Sequence, residues 1–394
     1  MRVKLANTAA FRVMLVMCAN FAVLGALVPY LPVWLSREKH LTGAEIGLIL
    51  ATANIARVVL GPLAAAWAEG LKDRRTPLLV FAVVALIGYV ALAPLQGFFP
   101  ILVVAFAAGL CFQGMVPFME AAALRTTQTG PLNYATARGF SSVAFIVGNL
   151  VGGALLAAFG AWGPFGWIVG GCAVLVLTSL WLKREPVVRS ETLSFGDRLR
   201  DGLNLLKEPR FILLALSAGL IQASHGFYYG FASLVWLEAG VSRDVVGSIW
   251  AFAVVAETIF LFLSARYLGR FSGAVLIIAG GLGGIIRWSV YATSPSLALI
   301  LPMQAFHALT FASTHIGSVR LIQAWYGDSR GTTAQTMFAS IALAPLTGLA
   351  TLGSGPLYDQ FKAGGFLAMA ALALIGTGLA VTLRLSRHGK AGML

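Results

Sequence analysis

Long apolar runs broken by short polar segments organise this chain. Twelve such runs stand out, at about 10–35, 42–67, 77–95, 100–124, 134–159, 162–183, 211–237, 245–267, 272–291, 296–326, 332–357 and 365–385. Most reach the roughly 20 residues that an α-helix needs to cross the hydrocarbon core of a bilayer. The pattern predicts an all-α membrane protein with twelve transmembrane helices. The first run is too long for the apolar core of a cleavable signal, and no small-residue cleavage site follows it.

The longest polar stretch, 183–210, mixes seven basic and five acidic residues and separates six runs from six. It predicts an N-terminal half over 1–183, a cytoplasmic linker over 184–210 and a C-terminal half over 211–394. The halves repeat at an offset of 200: Thr42-Gly43-Ala44-Glu45-Ile46-Gly47 aligns with Ser242-Arg243-Asp244-Val245-Val246-Gly247. The register continues through Ile49/Ile249 and Ala56/Ala256 to Arg57 against Glu257, and Gly148/Gly348, Gly153/Gly353 and Glu120/Arg320 keep it. Single Ala or Gly matches mean little in so biased a composition; an offset shared by three pairs of runs is the signal. Two pseudo-symmetric six-helix halves resemble the major facilitator fold, whose substrate site lies near the bilayer midplane. Thr42 and Ser242 read as helix N-caps, with Glu45 completing a capping box. Gly148 and Gly152, and Gly166 and Gly170, have the small-xxx-small spacing of closely packed membrane helices. Pro29, Pro32 and Pro117 are expected to bend the first and fourth helices.

Composition agrees with a membrane span and excludes an ordinary soluble domain. Hydrophobic residues make up 58 % and charged residues 11 %, against about 25 % charged in soluble proteins. The net charge of +13 invites a nucleic-acid reading, but its distribution argues against one. With both termini cytoplasmic, the inner segments hold twenty of the 28 Lys and Arg and the outer loops four, Arg37, Lys39, Arg243 and Lys362. That is a positive-inside asymmetry in an inner membrane, with anionic lipid as a contact. Cys18, Cys111 and Cys172 are too few and too deep for a disulfide framework. The chain has no paired-Cys zinc spacing, no Walker phosphate loop and no nucleophile elbow. No cofactor, metal or enzymatic activity is expected, and an ion gradient is the expected drive.

Nine ionisable side chains lie inside the apolar runs: Arg57, Glu120, Arg138, His225, Glu257, Arg287, His307, His315 and Arg320. Each central Glu or Arg costs about 2.5–3.5 kcal/mol on insertion scales, so the two Glu and four Arg together cost at most on the order of 15–20 kcal/mol. Intramembrane charges face the bundle interior, pair there and mark a substrate or proton path. Glu120 and Arg138 each stand nine residues from residue 129, the tip of the hairpin between the fourth and fifth runs. They should reach one depth and form an ion pair, either a structural latch or a gating and coupling element. Glu257 is twelve residues into its run, with Trp250 two turns earlier as a wall of the cavity. Burial disfavours its charged form and a nearby Arg favours it, so Glu257 suits a proton carrier; permanent pairing to a structural Arg is the alternative.

His307, Phe311 and His315 follow at four-residue steps, then Arg320. Histidine titrates near neutrality and suits a relay. Two turns, about 12 Å, separate His307 from His315, too far to share one metal ion. Gln222, His225 and Tyr229 fall on one helical face, and Asn20 and Gln113 are also mid-span, so these five are expected to line the cavity. Arg57 and Arg287 are the candidate partners of a carboxylate substrate, although Arg287 stands only a turn from the end of its run and has the option of snorkelling.

The run His225-Gly-Phe-Tyr-Tyr-Gly-Phe231, then Gly247-Ser-Ile-Trp250 with Glu257, then Arg287-Trp288, resembles the phenylpropionate permease group of the major facilitator superfamily. His307, His315 and Arg320 stand where that group's tenth span carries His, His and Arg. The resemblance covers nearly the whole chain and implies a proton-coupled importer of small aromatic acids. Glu120, Arg138, Glu257, Arg287 and the two histidines are also placed similarly to charged residues of lactose permease. In that protein the acid–base pair of spans four and five helps bind sugar, and charges in spans eight to ten couple protons. The segment Gly61 to Arg75 matches the superfamily's Asp-Arg-x-Gly-Arg loop only loosely, and the tenth span lacks lactose permease's carboxylate. The expectation is a monomeric proton symporter that imports an organic anion, an aromatic monocarboxylate. Asn20, Arg57, Gln113, Gln222, His225, Tyr229, Trp250, Arg287 and His307 bind it; Glu120, Arg138, Glu257, His315 and Arg320 couple or gate. A neutral sugar or nucleoside symporter is the alternative, ahead of an efflux transporter or a non-transporting receptor.

Overall fold

The computed structural model describes residues 9–69, 71, 73, 75–129, 134–184, 200 and 202–386. Most of the linker and of the polar loop after residue 69 lies outside them. The fold is that of an all-α membrane protein, and ten described helical stretches are long and apolar enough to cross a bilayer. The second expected span falls short of that length among the described residues, as the apolar stretch Gly43–Ala56, and the last two expected spans lie within one stretch, Thr333–Leu385. Backbone contacts divide the chain into two compact units, Met1–Arg189 with Gly240–Ala251, and Ser190–Ala239 with Phe252–Leu394.

In the first unit, α1 (Ala9–Glu38), α2 (Gly43–Glu69), α3 (Arg75–Leu92), α4 (Phe98–Thr129), α5 (Tyr134–Phe159) and α6 (Trp162–Trp181) form a bundle in which α1 packs on both α5 and α6. Pro29, Pro32 and Pro117 all stay inside unbroken helices. The α1–α5 contact is backbone on backbone. A Cβ at Gly148 would stand 2.2 Å from the Ala22 carbonyl oxygen, and one at Gly25 would stand 2.2 Å from that of Phe145. Gly148→Leu must therefore push two helices apart. It should cost about 1–3 kcal/mol or more, read as a lower unfolding temperature of the detergent-solubilised protein; unchanged stability would contradict this packing. Gly152 abuts the Tyr30 ring. Gly166 and Gly170, expected to pack likewise, instead have open space beside them and line an apolar groove of about 820 Å³. Their spacing is right, but no helix among the described residues lies close enough to use it.

The capping box at Thr42 is present: its backbone N–H donates to Glu45 Oε2 (2.8 Å), and Glu45 N–H donates back to Thr42 Oγ1 (3.3 Å). Beside it, Lys39 is buried and donates to the carbonyls of Ala93 (2.7 Å) and Leu95 (2.8 Å), with its ammonium 4.9 Å from the Trp34 ring. Burial holds that ammonium below the ordinary lysine value, and Glu38 pulls it the other way.

The second unit begins with α7 (Pro209–Ala223) and α8 (Gly226–Glu238), one apolar run interrupted at Ser224 and His225. It continues with α9 (Arg243–Tyr267), whose first turns belong to the other unit, α10 (Gly273–Tyr291) and α11 (Leu297–Ala305). A π-helical turn, Ala308–Ser313, leads into α12 (Thr314–Met337); a second, Phe338–Leu343, leads into α13 (Ala344–Phe361) and then α14 (Phe366–Leu385). Phe211, Leu214, Ile277, Leu321 and Leu383 share one core. Phe262 is 87 % exposed on α9 and Leu385 80 % on α14. Outward apolar side chains of this kind are what a lipid-facing helix presents.

Candidate functional site

The break in α7–α8 and the π turn after α11 bring polar groups together in the second unit. At the break, the Gln222 carbonyl lies 3.0 Å from His225 Nδ1. The π turn inserts an extra residue per turn, a feature that recurs at functional sites. It begins just after His307 and contains Thr310 and Phe311. His225 Nε2 lies 2.9 Å from Thr310 Oγ1, and the ring stacks on Tyr229 at 5.6 Å.

Arg287 is the hub. Its Nη1 donates to His307 Nδ1 (3.2 Å) and Thr310 Oγ1 (3.3 Å), and its Nη2 donates to Gln304 Oε1 (2.8 Å). Tyr228 OH donates to the same Gln304 oxygen at 3.1 Å. The guanidinium lies 4.5 Å from both the Tyr228 and Trp288 rings and 5.6 Å from Tyr291. Arg287 is fully buried rather than snorkelled: this aromatic box encloses it, and its hydrogen-bond partners among the described residues are neutral. Arg287 Nε and Gln304 Nε2 are buried donors with no acceptor among the described residues. On the other side of His307, Nε2 stands 3.4 Å from Glu257 Oε2. A described ion partner of Glu257 is thus a histidine; permanent pairing to a structural Arg was the alternative the sequence left open.

The first unit holds a second polar cluster. Arg138 Nη1 lies 3.3 Å from Glu120 Oε1, the pair expected from equal depth on the hairpin. Tyr134 OH donates to the other Glu120 oxygen, and the Arg138 guanidinium covers Phe21 at 4.5 Å. Both charges are partly exposed, Arg138 at 44 % and Glu120 at 26 %, so screening limits the pair to about 0.2–1 kcal/mol. A double-mutant cycle on Glu120→Gln and Arg138→Gln should show the double change milder than the sum of the singles by that amount. Additivity in thermal unfolding would mean that the pair carries no coupling.

The remaining candidates are dispersed. Asn20 and Asn149 in the first unit are fully buried, with side-chain amides that have no hydrogen-bond partner among the described residues. Gln113 is half-buried on α4, and the Gln222 amide donates to the Phe311 carbonyl at 3.2 Å. Trp250 is buried on the part of α9 that belongs to the first unit. His315 is exposed and within electrostatic reach of Glu257, while His307 and Phe311 stack at 5.4 Å. Arg320 Nη1 donates to the carbonyls of Leu268 (2.7 Å) and Phe271 (3.1 Å), clasping the turn after α9. The side chain of Arg57 lies outside the described residues.

Gln304, Thr310 and Tyr228 are the site residues that sequence reasoning missed. The signal was present as Gln304-x-x-His307-x-x-Thr310, three polar residues at three-residue steps in an apolar run.

Comparison with known proteins agrees with this architecture. The family described as MFS_1 like matches residues 12–368. The chain is 28 % identical over 353 residues to the probable 3-phenylpropionic acid transporter of Escherichia coli, spanning 89 % of this chain and 91 % of that one. It is 26 % identical over 383 residues to the maltose permease of Geobacillus stearothermophilus, spanning 94 % and 93 %. The crystal structure of the nucleoside transporter NupG superposes with a TM-score of 0.84 at 15 % identity, covering 96 % of this chain and all of that one. At that identity the likeness is one of fold.

Proposed function

Given that the chain belongs to the MFS_1 like family and is a multi-pass secondary transporter of small molecules rather than an enzyme, we propose that it imports a small aromatic monocarboxylate together with H⁺, by alternating access of two six-helix halves. One observation carries this reading: Arg287 is a fully buried guanidinium boxed by Tyr228, Trp288 and Tyr291 and bonded only to neutral groups. Such a cation is suited to a carboxylate, and arginine's fork matches one bidentately. The surrounding rings suit an aromatic body. His307 and Glu257, in contact at 3.4 Å, are the proton-handling groups beside it. His225, Gln222 and Tyr229 belong to the same substrate site, with Asn20, Gln113, Trp250 and Arg57 as candidates beyond it. Glu120, Arg138, His315 and Arg320 serve gating or coupling. The protein works as a monomer in the inner membrane with both termini cytoplasmic.

A second reading, symport of a neutral sugar or nucleoside, is favoured by the partly exposed Glu120–Arg138–Tyr134 cluster, whose donors and acceptors suit hydroxyl groups. Calorimetry on the purified protein separates the two. The first reading expects saturable binding of 3-phenylpropionate and none of maltose or a nucleoside. The reverse pattern would overturn it.

A further inference from the structure

The hydrogen bonds around His307 assign its protons. Arginine has donors only, so the Nδ1 that faces Arg287 Nη1 at 3.2 Å is an acceptor and carries no hydrogen. A neutral imidazole then bears its proton on Nε2, the nitrogen that lies 3.4 Å from Glu257 Oε2. His307 is therefore held as one tautomer between a cation and a carboxylate, and Nδ1 has no lone pair to offer a proton while Arg287 stays. His225 is held in the opposite tautomer: its Nδ1 donates to the Gln222 carbonyl, so the bare Nε2 of the neutral ring accepts from the Thr310 hydroxyl at 2.9 Å.

Charge balance gives the second half of the argument. The titratable groups around His307 are Glu257 on α9, Arg287 and Tyr291 on α10, His225, Tyr228 and Tyr229 at the α7–α8 break, and His315 further along its own helix. With neutral phenols, neutral imidazoles and an ionised Glu257, this group sums to zero. A bound monoanion makes it −1, and one proton restores neutrality. In a low-dielectric interior an uncompensated charge is expensive, so anion and proton are favoured together.

We propose that a carboxylate arriving at Arg287 and a proton arriving at His307 Nδ1 are one coupled event. The Nη1–H donated to Nδ1 turns to the carboxylate, the Arg287–His307 hydrogen bond breaks, and a new Nδ1–H bond forms with a proton given up by hydronium on the substrate side, which leaves as water. The imidazolium is then countered by Glu257 and the guanidinium by the substrate. The stoichiometry is one H⁺ per monoanion, and Glu257 acts as the counter-ion. This rests on the aromatic-acid reading above for its ligand, but not for the state of the empty protein.

The test is ¹⁵N NMR of the full chain in lipid nanodiscs, with the His307 signals identified by their loss in His307→Gln. The empty protein at neutral pH should show His307 protonated on Nε2 and bare on Nδ1. A proton on Nδ1 of the empty protein would overturn the proposal without reference to any substrate. Saturating 3-phenylpropionate should convert His307 to the imidazolium, with one proton taken up per acid bound in weakly buffered calorimetry. Binding of the acid with His307 unchanged would overturn it too. Failure of the acid to bind would sink the substrate reading alone, and a ligand-free arm remains. Arg287→Leu, or Arg287→Gln should the first not fold, frees Nδ1 and removes a nearby cation. His307 should then take up a proton more readily than in the unaltered protein, because the neighbouring cation is gone. An unshifted titration would contradict Arg287 control of that nitrogen.

Discussion

Arg287→Gln is expected to weaken binding of an aromatic acid by about 1.5–3 kcal/mol, the scale of a hydrogen bond to a charged group, or roughly 10- to 150-fold. The amide of the same acid should bind both proteins alike, because it carries no charge for the guanidinium to meet. That contrast separates an anion site from a general loss of structure. Arg287 is bonded to His307, Thr310 and Gln304 and packed against three rings, so its removal also disturbs neutral contacts. Those losses would fall equally on acid and amide. Equal weakening of the two ligands in calorimetry would mean that Arg287 holds the fold of the site rather than the carboxylate.

Glu257→Gln should uncouple the transporter. With glutamine there, the empty site keeps the Arg287 charge and a bound monoanion neutralises it with no proton required. Exchange of labelled for unlabelled acid should continue, whereas accumulation driven by a pH gradient should vanish. Under a gradient of one pH unit, one proton is worth about 1.4 kcal/mol. The unaltered protein should then accumulate its acid about tenfold and the variant about onefold. Undiminished accumulation by Glu257→Gln would remove Glu257 from coupling; loss of expression instead would point to a purely structural pairing with His307.

Much of this site was legible as residue type and depth, less as partnership. Equal distance from the hairpin tip was enough to pair Glu120 with Arg138, because α4 and α5 run regularly through that stretch. The capping box at Thr42 and Glu45 followed from spacing alone. The second unit defeats such arithmetic because its helices are irregular there. The α7–α8 break falls at Ser224 and His225, and the π turn at Ala308–Ser313 changes the register between His307 and His315. Neither irregularity has a proline or glycine at its centre to announce it: Ser224 and His225 occupy the first, and Ala308 to Ser313 the second. Arg287 was placed near a helix end, yet Tyr228 and Trp288 enclose it, a tertiary fact that one helix cannot reveal. Arg320 reads as an intramembrane charge in sequence, but its length lets it reach the carbonyls of the 268–271 turn.

Electroneutral uptake is the most direct test of the central claim. In proteoliposomes holding the purified protein, an imposed pH gradient should drive 3-phenylpropionate inward, since one H⁺ with one monoanion moves no net charge. A membrane potential of 100 mV, worth about 2.3 kcal/mol per elementary charge, should leave that accumulation unchanged. Potential-driven accumulation of a neutral sugar or nucleoside, with no uptake of the acid under either gradient, would contradict the account.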